Sequence, residues 1–289
     1  MGAMARWPLS LRLMLLYPKK AGSRAIGWLA SRHLPRAWRD VIIGRFAAHF
    51  GANVGEAEKP LAEYASIQEF FTRRLAPGIR PQAVAARGAL NSPVDGRVIG
   101  CGRVQVGLAI QAKGLPYRVT ELLRHDADAA RFDGAWYLTL YLAPKDYHRI
   151  HVPCWGRVNS VSRVEGELWP VNDASTAHVP LLYERNRRAT WTATGAGAGV
   201  NEGLDIAVVL VGATHVGGCV IDPRWLAGRE LPRNAALDVA NLRCEPGDDL
   251  GVFEFGSTVV LLIGGAKAAQ WNPLVALGDI VRVGQRLGA

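Results

Sequence analysis

The chain changes its pattern once, near residue 77, and that change commits it to two kinds of structure joined in series. Up to about residue 75, apolar residues recur at helical spacing. Trp38, Ile42, Phe46 and Phe50, four apart, are the strictest set. Ser66-Ile67-Gln68-Glu69 has the form of a capping box and predicts a helix continuing through Phe70-Phe71-Thr72-Arg73-Arg74-Leu75. Pro77-Gly78 and Arg80-Pro81 end that helix and begin a linker. From Leu90 onward, short β-type runs alternate with Gly, Pro and Asp: 97–99, 136–142, 206–211, 259–263 and a closing strand and turn over 278–287. Brief helices are expected at 121–124 and 180–188, and no internal repeat is present. The expectation is an α+β protein, with amphipathic N-terminal helices over 1–76 on a β-rich, barrel- or sandwich-like catalytic core over 77–289.

Apolar residues make up 49% of the 289, and charged ones only 20%, so the chain buries a large core and is not disordered. The formal charge is +9, and its location matters more than its size. Residues 1–50 carry Arg6, Arg12, Lys19, Lys20, Arg24, Arg32, Arg36, Arg39 and Arg45 against Asp40 alone. These cations alternate with Trp7, Leu9, Leu11, Leu13, Met14, Leu15, Leu16 and Tyr17, then with Ile26, Trp28 and Leu29. Nucleic acid would account for the charge but not for the apolar partners. An anionic membrane surface accounts for both, and a helical hairpin packed on the protein's own core is the alternative. No stretch reaches the roughly 18 to 20 apolar residues that a spanning helix needs. Neither a cleavable signal peptide nor a zinc site is expected. Cys101, Cys154, Cys219 and Cys244 are widely spaced and read as free thiols of a reducing compartment. The expected location is the inner membrane, peripherally, on its cytoplasmic side.

Three short motifs bring together the residue types that turn a hydroxyl into a nucleophile. Ser257 lies in Gly256-Ser257-Thr258, between Phe253-Glu254-Phe255 and a run of five aliphatic residues, 259–263. That placement suggests a tight turn inside a β hairpin, not the exposed Gly-x-Ser-x-Gly elbow of hydrolases. A nucleophile held inside its own chain would attack its own backbone first. Asp95 sits in Pro93-Val94-Asp95-Gly96, where Asp-Gly is by itself an ordinary turn. His148 and His151 follow the predicted strand 136–142, and their spacing would suit a metal only with a third ligand cluster, which is missing.

Taken together and in order, these blocks resemble the phosphatidylserine decarboxylase family. The resemblance runs from about Tyr64 to the C-terminus. It includes Ile67 to Leu75, Ser92 to Gly96, Gln111-Ala112-Lys113-Gly114, Asp146 to Pro153, Trp169-Pro170-Val171-Asn172, Val211-Gly212-Ala213-Thr214 and Gly256-Ser257-Thr258. Phe255 stands where the family usually has Leu, and 215–218 departs slightly from its usual block. The resemblance implies a zymogen whose autocatalytic cleavage between Gly256 and Ser257 separates a β chain, 1–256, from an α chain, 257–289. Asp95, His151 and Ser257 would form the relay for that cleavage, and Ser257 would become a covalent pyruvoyl cofactor. The lyase would then decarboxylate phosphatidylserine through a Schiff base, yielding phosphatidylethanolamine, with His148 as proton donor. Expected partners are phosphatidylserine, the membrane surface, the two cleaved chains held to each other, and a homodimer mate. Lys113 and Tyr117 stand as either headgroup contacts or surface residues.

Three rival readings are weighed against this one. A pyruvoyl enzyme for a soluble amino acid gives the basic arm no purpose. A swinging-arm carrier needs a lysine at a hairpin tip, typically between methionines, whereas Met1, Met4 and Met14 all lie in the arm. A serine hydrolase would leave its own chain uncut.

Overall fold

The computed structural model describes residues 7–80, 90–111, 114–195, 202–214, 218–239, 242–254 and 257–288. Helices α1 (Leu9–Leu16), α2 (Lys19–Ala30) and α3 (Arg39–Phe50) open the chain, and the short α4 (Ile67–Phe71) closes the helical part. In α1, Leu11 is buried while Leu9, Leu13 and Leu16 are exposed; in α2, Ile26, Trp28 and Leu29 are exposed. The expected stripe of α3 is shifted by one residue. Ile43 and Ala47 are the buried positions, and they form a small core of their own with Tyr64 and Phe70. Phe46 packs edge-on against Phe70 and Phe71, while Trp38 and Phe50 stay exposed. This third helix therefore packs largely on the protein itself. Gly51 ends it in a left-handed conformation (φ 73°) that glycine adopts without strain.

Ser66 caps α4 by accepting from Glu69 N (3.1 Å), while the Glu69 carboxylate reaches back to Ala65 N (2.7 Å). The helix stops at Phe71 and does not run to Leu75 as expected. The two arginines that follow are drawn toward the β core instead. Arg73 is buried and donates to Lys145 O, and Arg74 pairs with Asp249 at 2.6 Å.

Among the described residues, the core is built on one antiparallel nine-stranded sheet. Its main path runs through Ala235–Asp238, Gly156–Val164, Arg188–Gly195, Asp205–Val211, Ser257–Gly264, Trp136–Leu142, Gly96–Arg103 and Ile280–Val281. Ser257–Gly264 lies at its centre. Val259, Leu261 and Ile263 point into one apolar cluster, and Val260 and Leu262 into a second on the opposite face. Burial on both faces explains why the strand reads as an unbroken aliphatic run, and each such side chain contributes about 1.5–3 kcal/mol. A three-stranded antiparallel sheet, in the order Cys219–Ile221, Asp249–Phe253 and Arg149–His151, covers the first cluster, giving a sandwich-like core.

This topology corrects one expectation. Asp249–Phe253 and Ser257–Gly264 belong to different sheets and do not pair as a hairpin. The connection between them carries the chain from the small sheet to the large one, and Ser257 is the first residue on arrival. Tyr117 is corrected as well: it is fully buried against Tyr183, with ring centroids 5.5 Å apart, and is neither a headgroup contact nor a surface residue. Cys101, Cys154, Cys219 and Cys244 are free thiols. Among the described residues, no helix is long and apolar enough to cross a membrane, and no group of three His, Cys, Asp or Glu side chains is arranged to hold a metal.

Candidate active site

Ser257 opens the central strand, paired with Leu142 of the neighbouring strand. It is fully buried, and its Oγ has no hydrogen-bond partner among the described residues. A buried hydroxyl without a partner costs about 1–3 kcal/mol, and its neighbour Thr258 Oγ1 is in the same state. His148 O accepts from Phe253 N (3.0 Å), which ties the loop after Leu142 to the end of the strand four residues before Ser257.

His148 is also fully buried, its ring 4.0 Å from that of Phe71. Nδ1 donates to Asp146 O (2.9 Å), which leaves the lone pair on Nε2, and Nε2 has no partner among the described residues. Burial drives its pKa down to about 3. The resting ring is therefore neutral, and it can return a proton only after taking one up.

His151 projects from the edge of the small sheet. Its Nδ1 donates to Gly247 O (2.9 Å), and its Nε2 accepts from the Tyr147 hydroxyl (3.0 Å), whose ring stacks on it. Burial lowers its pKa too, opposed by the Gly247 bond and by Asp249. The backbone N–H of His151 donates to Pro93 O (2.9 Å), which ties the Asp95 turn to this histidine.

Asp95 is buried but makes no hydrogen bond to His151. Arg80 Nε donates to both of its oxygens (3.1 Å each), a second nitrogen of Arg80 binds Oδ2, and Val283 N donates to Oδ1 (2.8 Å). Arg80 also holds Glu56 at 2.7 Å. The next residue must be glycine: a Cβ at Gly96 would lie 2.7 Å from the Tyr141 carbonyl oxygen. A cavity of about 730 Å³ opens over this region, lined by Arg74, Arg80, Tyr147, His151 and Asp249 among others.

The structure thus joins the Asp95 turn to His151 through the backbone and sets His148 against the approach to Ser257. It does not close a hydrogen-bonded relay through Asp95, His151 and Ser257. Gly256, Phe255, Lys113 and 215–217 lie outside the described residues. Sequence reading gave no role to Arg80, which looked like linker punctuation, or to Tyr147. Nothing in the linker sequence marks Arg80 as a partner of Asp95, whereas Tyr147 had one signal, its place four residues before His151.

Two buried histidines of lowered pKa and a buried, partnerless serine hydroxyl at the start of the central strand supply the groups an enzyme core needs. Comparison with known proteins makes this specific. A family model described as phosphatidylserine decarboxylase matches residues 67–289. The chain is 43% identical to the phosphatidylserine decarboxylase proenzyme of Anaeromyxobacter sp., over 97% of this chain and 98% of that one. The proenzymes of the same description from Methylobacillus flagellatus and Myxococcus xanthus are 38% and 37% identical, each over at least 94% of both chains. The chain belongs to the phosphatidylserine decarboxylase family, a family of carboxy-lyases.

Proposed function

We propose that this protein is a proenzyme that cuts itself between Gly256 and Ser257 and then decarboxylates phosphatidylserine to phosphatidylethanolamine. The observation that carries the reading is the position of Ser257: fully buried, without a partner for Oγ, at the first residue of the central strand. His151, neutral and with its lone pair on Nε2, is suited to take the serine proton once Tyr147 yields that position, and Asp95 would stabilise the imidazolium that forms. Ser257 Oγ attacks the Gly256 carbonyl and the peptide becomes an ester. Loss of the Cα proton then expels the Gly256 carboxylate, and hydrolysis of the resulting enamine releases ammonia and leaves a pyruvoyl group.

The surroundings of Ser257 fit a small covalent group of this kind: the side chain is fully buried, and the residue is fixed by pairing with Leu142 at the start of a strand that is paired on both sides from Thr258 onward. When present, the group supplies an electron sink for the charge left on the substrate's Cα as CO₂ departs. His148 Nε2 is the atom proposed to hold the proton that returns there. After cleavage the two chains stay joined, because Ser257–Gly264 sits between Trp136–Leu142 and Asp205–Val211, and Asp95 is bound by Val283 N. The exposed Leu9, Leu13, Leu16, Ile26, Trp28 and Leu29, set among the arm's cations, would seat the protein peripherally on an anionic bilayer.

Intact mass spectrometry under denaturing conditions tests the reading. It should show a C-terminal fragment beginning at position 257, about 17 Da lighter than the serine form because ammonia has been lost. A single full-length species that is stable on incubation with membranes would remove the proposed cofactor and the activity with it.

A further inference from the structure

One face of α2, which includes the exposed Trp28, roofs a cavity of about 400 Å³, within the range of small-ligand sites. Lys20, Arg24, Gly27 and Ser31 follow the i, i+4, i+7, i+11 spacing of one helical face and line it from above. Gln68, Leu168, Arg187 and Glu254 line it from the core. Neither the Lys20 nor the Arg24 side chain has an ion pair or hydrogen bond to another described residue, and Arg187 uses Nε and one terminal nitrogen on Glu165. Ile26 and Leu29 point the other way, out to solvent. Glu254 lies three residues before Ser257, and Gln68 shares α4 with Phe71, the residue against His148. The cavity thus has a basic rim and a floor that includes Glu254, close in sequence to Ser257.

We propose that this cavity binds the headgroup of an aminophospholipid, with its phosphodiester held by Lys20, Arg24 and Arg187 and its ammonium turned toward Glu254 and Gln68. The inference rests on the decarboxylase reading. Lys20 and Arg24, with Arg187 beside them and still paired to Glu165, face the Glu254 carboxylate and match a phosphodiester beside an ammonium. The substrate's own carboxylate is better left without a cation, since a cation would stabilise the charge that has to disappear as CO₂ forms. The outward Ile26 and Leu29, with the half-exposed Trp28 on the cavity's own lining, select a ligand that arrives from a bilayer over a soluble phosphate ester.

The test uses full-length, self-cleaved protein and Arg24→Glu, with Arg24→Lys as the conservative control. Arg24 is exposed, so both variants should fold. CO₂ release is measured from short-chain phosphatidylserine kept below its micelle concentration, so that attraction to a membrane surface plays no part. Arg24→Glu should raise KM by about tenfold or more with little change in kcat, and Arg24→Lys should restore most of the loss. An unchanged KM, with a defect only on phosphatidylcholine–phosphatidylserine vesicles, would overturn the site and leave Arg24 a surface attractant. Calorimetry of glycerophosphoserine and of inorganic phosphate, titrated into the uncleaved Ser257→Ala chain, separates the two readings. Saturable heat from glycerophosphoserine alone, weakened by Arg24→Glu, supports the site even if no CO₂ release is found and the decarboxylase reading falls. Equal heat from phosphate, or none from either, overturns it.

Discussion

Replacing Arg80 by alanine should be among the more destabilising single changes in the chain, although Arg80 lies in a Pro/Gly-rich connector. Its side chain is 9% exposed, that of Asp95 7%, and that of Glu56 20%. The substitution deletes three hydrogen bonds to Asp95 and one to Glu56, leaving Asp95 with Val283 N at 2.8 Å and Arg282 at 3.8 Å. Stranding one member of a buried ion pair costs about 3–5 kcal/mol, and the two remaining partners of Asp95 favour the lower end, about 3 kcal/mol. For a chain of this size that corresponds to a fall in melting temperature of about 6–12 °C. The measurement belongs in the Ser257→Ala background, where unfolding follows a single uncut chain. In a double-mutant cycle, Arg80→Ala should lose most of its effect once Asp95 is Asn. A shift below about 2 °C, or full additivity in the cycle, would refute the view that Arg80 and Asp95 act as a buried pair.

Ser257→Ala should remain a full-length chain without decarboxylase activity; any fragment beginning at 257 on a denaturing gel would sink the cleavage mechanism. His148→Ala should still cut itself but release CO₂ about 10²–10⁴ times more slowly, and a rate within about twofold of the parent would return His148 to a structural role. Because burial holds His148 at about 3, the unfolded chain binds its proton first as the pH falls. Its contribution to stability is thus complete above about 6.5 and is lost toward 3 at about 1.4 kcal/mol per pH unit. Urea titrations at pH 6.5 and 5 should therefore show His148→Gln losing about 2 kcal/mol less than the parent. Ile26→Asp with Leu29→Asp, both exposed, should release the protein from phosphatidylserine vesicles in a sedimentation assay without lowering its melting temperature. Retention on the vesicles would assign the arm to internal packing.

How far the site was legible varies residue by residue. Ser257, His148 and His151 stood out because their residue types and order match one family's chemistry, and the unbroken run after Ser257 signalled a strand buried on both faces. The partners of those side chains were not legible. Gly247 lies 96 positions from His151, and Val283 lies 188 from Asp95; neither is chemically distinctive, since each contributes only a backbone group. Arg80 is a common surface residue type, and only the return of the connector across Glu56 and Asp95 makes it a buried pivot.

The sequence by itself determined the switch from helices to strands, the extents of strands such as Trp136–Leu142, the apolar outer faces of α1 and α2, and the residue types available for chemistry. These follow from periodicity and turn propensity, which are properties of neighbouring residues. Tertiary structure alone decided that α3 turns Ile43 and Ala47 inward, that α4 stops at Phe71, and that the segment before Ser257 passes from one sheet to another and forms no hairpin. It also decided which hydroxyls and imidazoles lose their water. Each of these outcomes depends on strands and side chains brought together from distant parts of the chain, and no local pattern carries that information.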